Sequence, residues 1–111
     1  MRLLLDTHLL LWAMAASRKL PKVVKSQLLD SNNEVYYSAA SLWEVAIKHD
    51  LRRKDFRIDP DSLFGALRAS GFLELPVTAA HAVAVTRLPP IHKDPFDRLL
   101  VAQGMSEPMV L

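Results

Sequence analysis

The chain has no cysteine among its 111 residues. That excludes a disulfide framework, a thiolate zinc site and a cysteine nucleophile, and it fits a reducing compartment, the cytoplasm being the expected one. Glycine is almost as scarce: Gly65, Gly71 and Gly104 stand isolated, so no glycine-rich loop cradles a phosphate. There is no G-x-S-x-G turn, which leaves a serine–histidine–aspartate hydrolase supported by composition alone. No apolar run approaches the roughly 20 residues that span a membrane. Asp6 interrupts the short N-terminal apolar stretch, so neither a signal peptide nor a membrane partner is expected.

What remains is a globular composition. Half the residues are apolar and the mean hydropathy is +0.11, and a chain of this length suits one domain with a real core. We expect a single domain over residues 1–111, with no internal repeat, low-complexity tract or linker. The net charge is only +2, but it is unevenly placed. Residues 1–57 hold ten basic and six acidic side chains, and residues 58–111 hold four and six. The densest basic stretch is KHDLRRKDFR at 48–57. Such a patch is either a solvated face or a phosphate contact.

Strand and helix signals alternate. RLLLD (2–6) is short and continuously apolar, like a parallel strand buried on both faces. Thr7 is placed to cap a following helix through HLLLWAMAAS, which is apolar nearly all round and so must be buried or meet a partner. A second helix is expected over 20–31. EVYYSA (34–39) reads as a strand, and Ser38 as the cap of the helix AASLWEVAIKHD. Asp59–Pro60 starts another helix that stops at Gly71, FLELPV (72–77) is a third strand, and Thr78 caps AAHAVAVTRL. Asp94–Pro95 opens the helix DPFDRLLVAQGM, and PMVL (108–111) begins a fourth strand. The pattern predicts an α/β fold around a parallel sheet.

In such a sheet, sites form beyond the carboxyl ends of the strands. Asp6 and Ser38 fall at such ends, Glu44 lies on the helix that Ser38 starts, and Asp94 and Asp97 open the helix that leads to the fourth strand. Carboxylates brought to one rim repel unless protonated or bridged by a cation, and all-oxygen ligation suits Mg²⁺ or Mn²⁺. Each acid also has a structural reading. Ser41-x-x-Glu44 matches a capping box, and Glu44 to Lys48 is a favourable i,i+4 pair. Asp94 serves as an N-cap with Arg98 four residues on to pair with it. Asp97 has Leu100 and Val101 as its forward helix neighbours, so no cation lies ahead of it, and it is the better ligand candidate. The four histidines lack metal-ligand spacing and are expected at surfaces or helix ends; Trp12 and Trp43 read as core.

The segments RLLLDTHLLLWA, SAASLWEVAIKHDL, GFLELPVTAAHAVAV and LPPIHKDPFDRLLVAQ together resemble a PIN domain. More narrowly, they resemble the VapC-type ribonuclease toxins of bacterial toxin–antitoxin pairs. The resemblance runs in order along nearly the whole chain. It implies a three-layer α/β/α sandwich and an Mg²⁺- or Mn²⁺-dependent hydrolysis of RNA. Carried over residue by residue, the catalytic, metal-holding acids fall on Asp6, Glu44 and Asp97. Asp94, Thr7 and Ser38 stand beside them, where hydroxyls could orient a carboxylate or a water. Lys48, Arg52, Arg53, Lys54 and Arg98 are the candidate RNA contacts. An antitoxin and a second copy of the chain are the implied partners.

One departure from the family pattern stands out. Members usually continue into a T-x-D segment with a fourth acid, a last helix and an edge strand, whereas this sequence ends at EPMVL. The expectation is therefore a C-terminally incomplete domain with weakened binding of a second metal. The alternative function is a catalytically inactive PIN domain that binds an antitoxin or another partner. A second alternative, an aspartate-based phosphotransfer domain, would need another aspartate two residues after Asp6, where His8 stands.

Overall fold

The computed structural model describes residues 1–51, 58–90 and 94–110. Three strands, β1 (Arg2–Leu5), β2 (Glu34–Ser38) and β3 (Leu73–Leu75), form a parallel sheet in the order β1-β2-β3. Leu3 pairs with Val35 and Leu5 with Tyr37, while Ser38 pairs with Leu75. On the other side of β1, Val110 makes an isolated parallel bridge to Leu3. It is held by Leu4 N–H to Val110 O (2.8 Å) and Val110 N–H to Arg2 O (3.0 Å). The expected fourth strand is thus present only as this single bridge among the described residues.

The helices are α1 (Thr7–Met14), α2 (Lys22–Leu29), α3 (Ala39–Asp50), α4 (Pro60–Ala69), α5 (Ala79–Ala84) and α6 (Pro95–Ser106). The continuous leucine run of β1 divides by the two-residue period of a strand. Leu3 and Leu5 pack with Leu10, Val35, Tyr37, Val45, Leu63 and Leu67, which brings α1, α3 and α4 to one face. Leu4 points the other way, to Leu75 and Leu100, and so receives α6. Helix, sheet and helix make the three layers that the resemblance implies.

Local corrections follow from tertiary contacts. The expected helix over 20–31 is shorter, because Pro21 precedes it and Asp30 is extended. The helix begun by Thr78 ends at Ala84 and tightens into a 3₁₀ turn, Val85–Arg87. Gly71, with φ at +76°, turns the chain out of α4 toward β3, a conformation that a Cβ disfavours. No helix among the described residues is long and apolar enough to cross a membrane.

Candidate active site

Asp6 follows the last residue of β1, and its carboxylate, rather than the Thr7 hydroxyl, caps α1: Oδ1 accepts from Leu9 N–H at 2.8 Å. The correction has a simple cause. Thr7 is already inside the helix, and its buried side chain turns toward α3. Its Oγ1 lies 2.8 Å from Glu44 Oε1 and 3.0 Å from Ser41 Oγ. A hydroxyl has one proton, which goes to the carboxylate, so Ser41 takes the donor role toward Thr7. The other carboxylate oxygen of Glu44 accepts from Lys48 Nζ at 3.0 Å.

The capping-box reading of Ser41 and Glu44 does not hold. The N-cap of α3 is Ser38, whose Oγ accepts from Ala40 N–H at 3.0 Å, so Ser41 lies within the helix. The i,i+4 pair of Glu44 with Lys48 does form. Glu44 is only 5 % exposed, and both its oxygens are engaged by α1 and α3.

On α6, Asp94 is the N-cap as expected, with Oδ1 accepting from Phe96 N–H (2.8 Å) and Asp97 N–H (3.3 Å). Its expected partner goes elsewhere. Arg98 donates to the carbonyls of Pro89 (2.9 Å) and Val85 (3.0 Å), and no Arg98–Asp94 ion pair occurs among the described residues. Val85 is the C-cap of α5, where a cation is favoured, and Pro89 lies beyond the 3₁₀ turn. Asp97 is half-buried, and no hydrogen bond reaches its carboxylate among the described residues. Its pKa is raised, first by burial, then by the charges of Asp94, Glu44 and Asp6, with His8 acting the other way. Acids from three separate segments therefore bear on Asp97 at this rim.

Ser38 does not orient a carboxylate. Its buried hydroxyl donates to Gln103 Oε1 at 2.6 Å while capping α3. One side chain at the end of β2 thus ties the helix carrying Glu44 to the helix carrying Asp97. Gln103 is fully buried, and Gln103 Nε2 lies 3.4 Å from both Pro76 O and His81 Nδ1. His81 sits at a helix end, one of the two expected places, in the capping box that opens α5, and is 1 % exposed. Its Nδ1 accepts from Thr78 N–H at 3.0 Å, which leaves the proton on Nε2 to donate to Glu107 Oε2 at 2.7 Å. His8 and His49 are exposed as expected. Sequence reasoning missed Gln103, although an amide inside the apolar run LLVAQGM is the signal that could have found it.

Trp43, expected in the core, is 63 % exposed and meets Phe96 edge-on with ring centroids 5.5 Å apart. The two aromatics thus join α3 to α6 next to Glu44 and Asp97 in sequence. Arg52, Arg53, Lys54 and His92 lie outside the described residues.

The donor chemistry at the rim is all oxygen and suits a hard divalent cation. Asp97 has the property such a site requires, a carboxylate crowded by like charge. The described residues do not, however, contain three acids already gathered at ligand spacing.

A PIN domain model matches residues 3–109, and the chain belongs to that family. No curated protein matches it. Among solved structures, it is similar to a chain in the crystal structure of VapBC2 from Rickettsia felis bound to a DNA fragment from their promoter. The TM-score is 0.68 at 17 % identity, covering 98 % of this chain and 84 % of that one. The shared fold is the PIN-like α/β sandwich.

Proposed function

We propose that the protein is a metal-dependent endoribonuclease that acts as the toxin of a toxin–antitoxin pair in the cytoplasm. The observation that carries the reading is a half-buried Asp97 under the charges of Asp94, Glu44 and Asp6 at the C-terminal rim of a parallel sheet, in a PIN domain. Asp6, Glu44 and Asp97 would hold Mg²⁺ or Mn²⁺. Such an ion, when bound, supplies a water of lowered pKa and neutralises charge on the phosphate.

The chain's own residues do the rest. Thr7 and Lys48 fix the Glu44 carboxylate, Ser38 and Gln103 hold α3 against α6, and Asp94 holds the first turn of α6 so that Asp97 faces the rim. Lys48, Arg52, Arg53, Lys54 and Arg98 are the proposed contacts to the RNA backbone, which makes affinity fall as salt rises. The fold shared with a VapBC complex supports an antitoxin partner. Exposed Trp43, Val23 and Leu29 support a further surface covered by the antitoxin or by a second copy of the chain.

The test is cleavage of a panel of tRNAs and rRNA fragments by purified protein with Mn²⁺. We expect cutting that EDTA stops and that Asp6→Asn lowers at least about a hundredfold, the scale of losing one group that stabilises the transition state. A folded wild-type protein that cuts nothing overturns the reading.

One observation favours the second reading, a non-cleaving PIN domain that binds a partner. The Glu44 oxygens are already satisfied by Thr7 and Lys48, and no preformed three-acid cluster exists among the described residues. Calorimetric titration with Mn²⁺ separates the two, because only the nuclease requires the ion to displace those contacts.

A further inference from the structure

A cavity of about 380 Å³ opens between α1 and α3 beside the carboxylate rim. Its lining includes Thr7 and Glu44, the pair joined at 2.8 Å. One wall is a face of α1: His8, Leu11 and Trp12 recur at the three- and four-residue spacing that aligns side chains on a helix. The rings of His8 and Trp12 are tilted by 55° with centroids 6.3 Å apart. Lys19, from the segment after α1, and Lys48, from α3, also line it. Among the described residues, its lining thus sets two ammonium groups against one carboxylate. His8, at the start of α1, also acts electrostatically on Asp97, so this cavity and the acids share one neighbourhood.

A second cavity, of about 330 Å³, makes the contrast. Lys25 is the sole charged residue lining it among those described, and none of the rim acids touches it. Size alone therefore does not distinguish the first; the combination of aromatic side chains on α1, two cations and a carboxylate in one lining does.

We propose that the cavity between α1 and α3 receives one nucleotide of a single-stranded RNA, its base against Trp12 and its phosphate beside Lys19 and Lys48. The chemistry matches each part. A base presents a flat π-face to an indole regardless of sequence, and ammonium groups attract the phosphate. Glu44 and Thr7 in the cavity lining put that nucleotide next to the acids, so the bond attacked is the one flanking the seated residue. This rests on the ribonuclease reading, and it adds Trp12 and Lys19 as substrate-binding residues.

Trp43→Phe leaves Trp12 as the one indole, and its emission then reports on the cavity. Uridine 3′-monophosphate and adenosine 5′-monophosphate should quench it, and inorganic phosphate should not. Lys19→Ala should weaken that quenching about tenfold. With an RNA oligonucleotide, Trp12→Leu should raise KM about tenfold while kcat changes little, and Trp12→Phe, which keeps a π-face, should restore most of the loss. For the wild type, an abasic residue beside the cleaved bond should mimic Trp12→Leu.

Emission unmoved by either nucleotide overturns the proposal, as does an RNA-cutting enzyme whose KM ignores both Trp12→Leu and the abasic site. The two readings fail separately. Protein that binds the nucleotides but cuts no RNA retains the cavity and loses the nuclease. Protein that cuts RNA with the cavity variants silent retains the nuclease and loses the cavity.

Discussion

Glu44 and Asp97 are both helix acids aimed at the same rim, yet their surroundings are opposite. Glu44 is buried and bonded at both oxygens, to Thr7 on α1 and to Lys48 one turn along its own helix. Asp97 is half-buried, has no hydrogen bond to its carboxylate among the described residues and sits in the field of three other acids. A protein optimised only for stability would not keep the second arrangement, since burial and like charge both oppose ionisation. The first arrangement stabilises the fold whether or not any ion binds. Of these two acids, both proposed to hold an ion, Glu44 thus also stabilises the fold, whereas Asp97 does not.

The sharpest way to break the comparison is Glu44→Ala. It removes the carboxylate that accepts from the Thr7 hydroxyl and the Lys48 ammonium, and we expect a loss of about 2 kcal/mol in urea unfolding, less than for a fully buried pair because Lys48 reaches water. No change would mean that Glu44 is as dispensable to the fold as Asp97. Thr7→Val comes next. It is nearly isosteric, removes one charge-assisted bond, and should cost about 1–2 kcal/mol by the same measurement.

Asp97→Asn should have the smallest effect and the opposite sign. A carboxyl whose pKa is raised by folding binds its proton more tightly in the folded state, so it lowers stability once pH rises above the unfolded carboxylate range. The variant should therefore melt slightly higher than wild type near pH 7. The gain should shrink as pH falls through the raised folded pKa and vanish below the unfolded one. A constant difference across that pH range would refute the electrostatic cause.

The sequence carried the fold to the extent that its signals are local. The apolar run 2–6, the strand-like EVYYS and the caps Ser38, Asp59, Thr78 and Asp94 all depend on neighbours a few residues away, and they stand as expected. What escaped depends on partners far along the chain. Thr7 meets Glu44 across 37 residues and Ser38 meets Gln103 across 65, and no spacing rule encodes either contact. The same limit explains Asp6. Its place after a buried strand is visible, but that it would displace Thr7 as cap depends on the pull of α3 on the Thr7 hydroxyl.

The lone bridge between Leu3 and Val110 has a kinetic consequence. The pairing of β1 with β2 joins residues 32 apart in sequence, Leu3 with Val35, whereas its other side is met by Val110, 107 residues from Leu3. Until that long loop closes, the backbone groups of Arg2 and Leu4 that bond Val110 are an open template for a stray strand. Late, long-range closure also slows folding. A folding chain of this protein is thus most exposed to misassembly at the outer side of β1, not at the side that β2 covers.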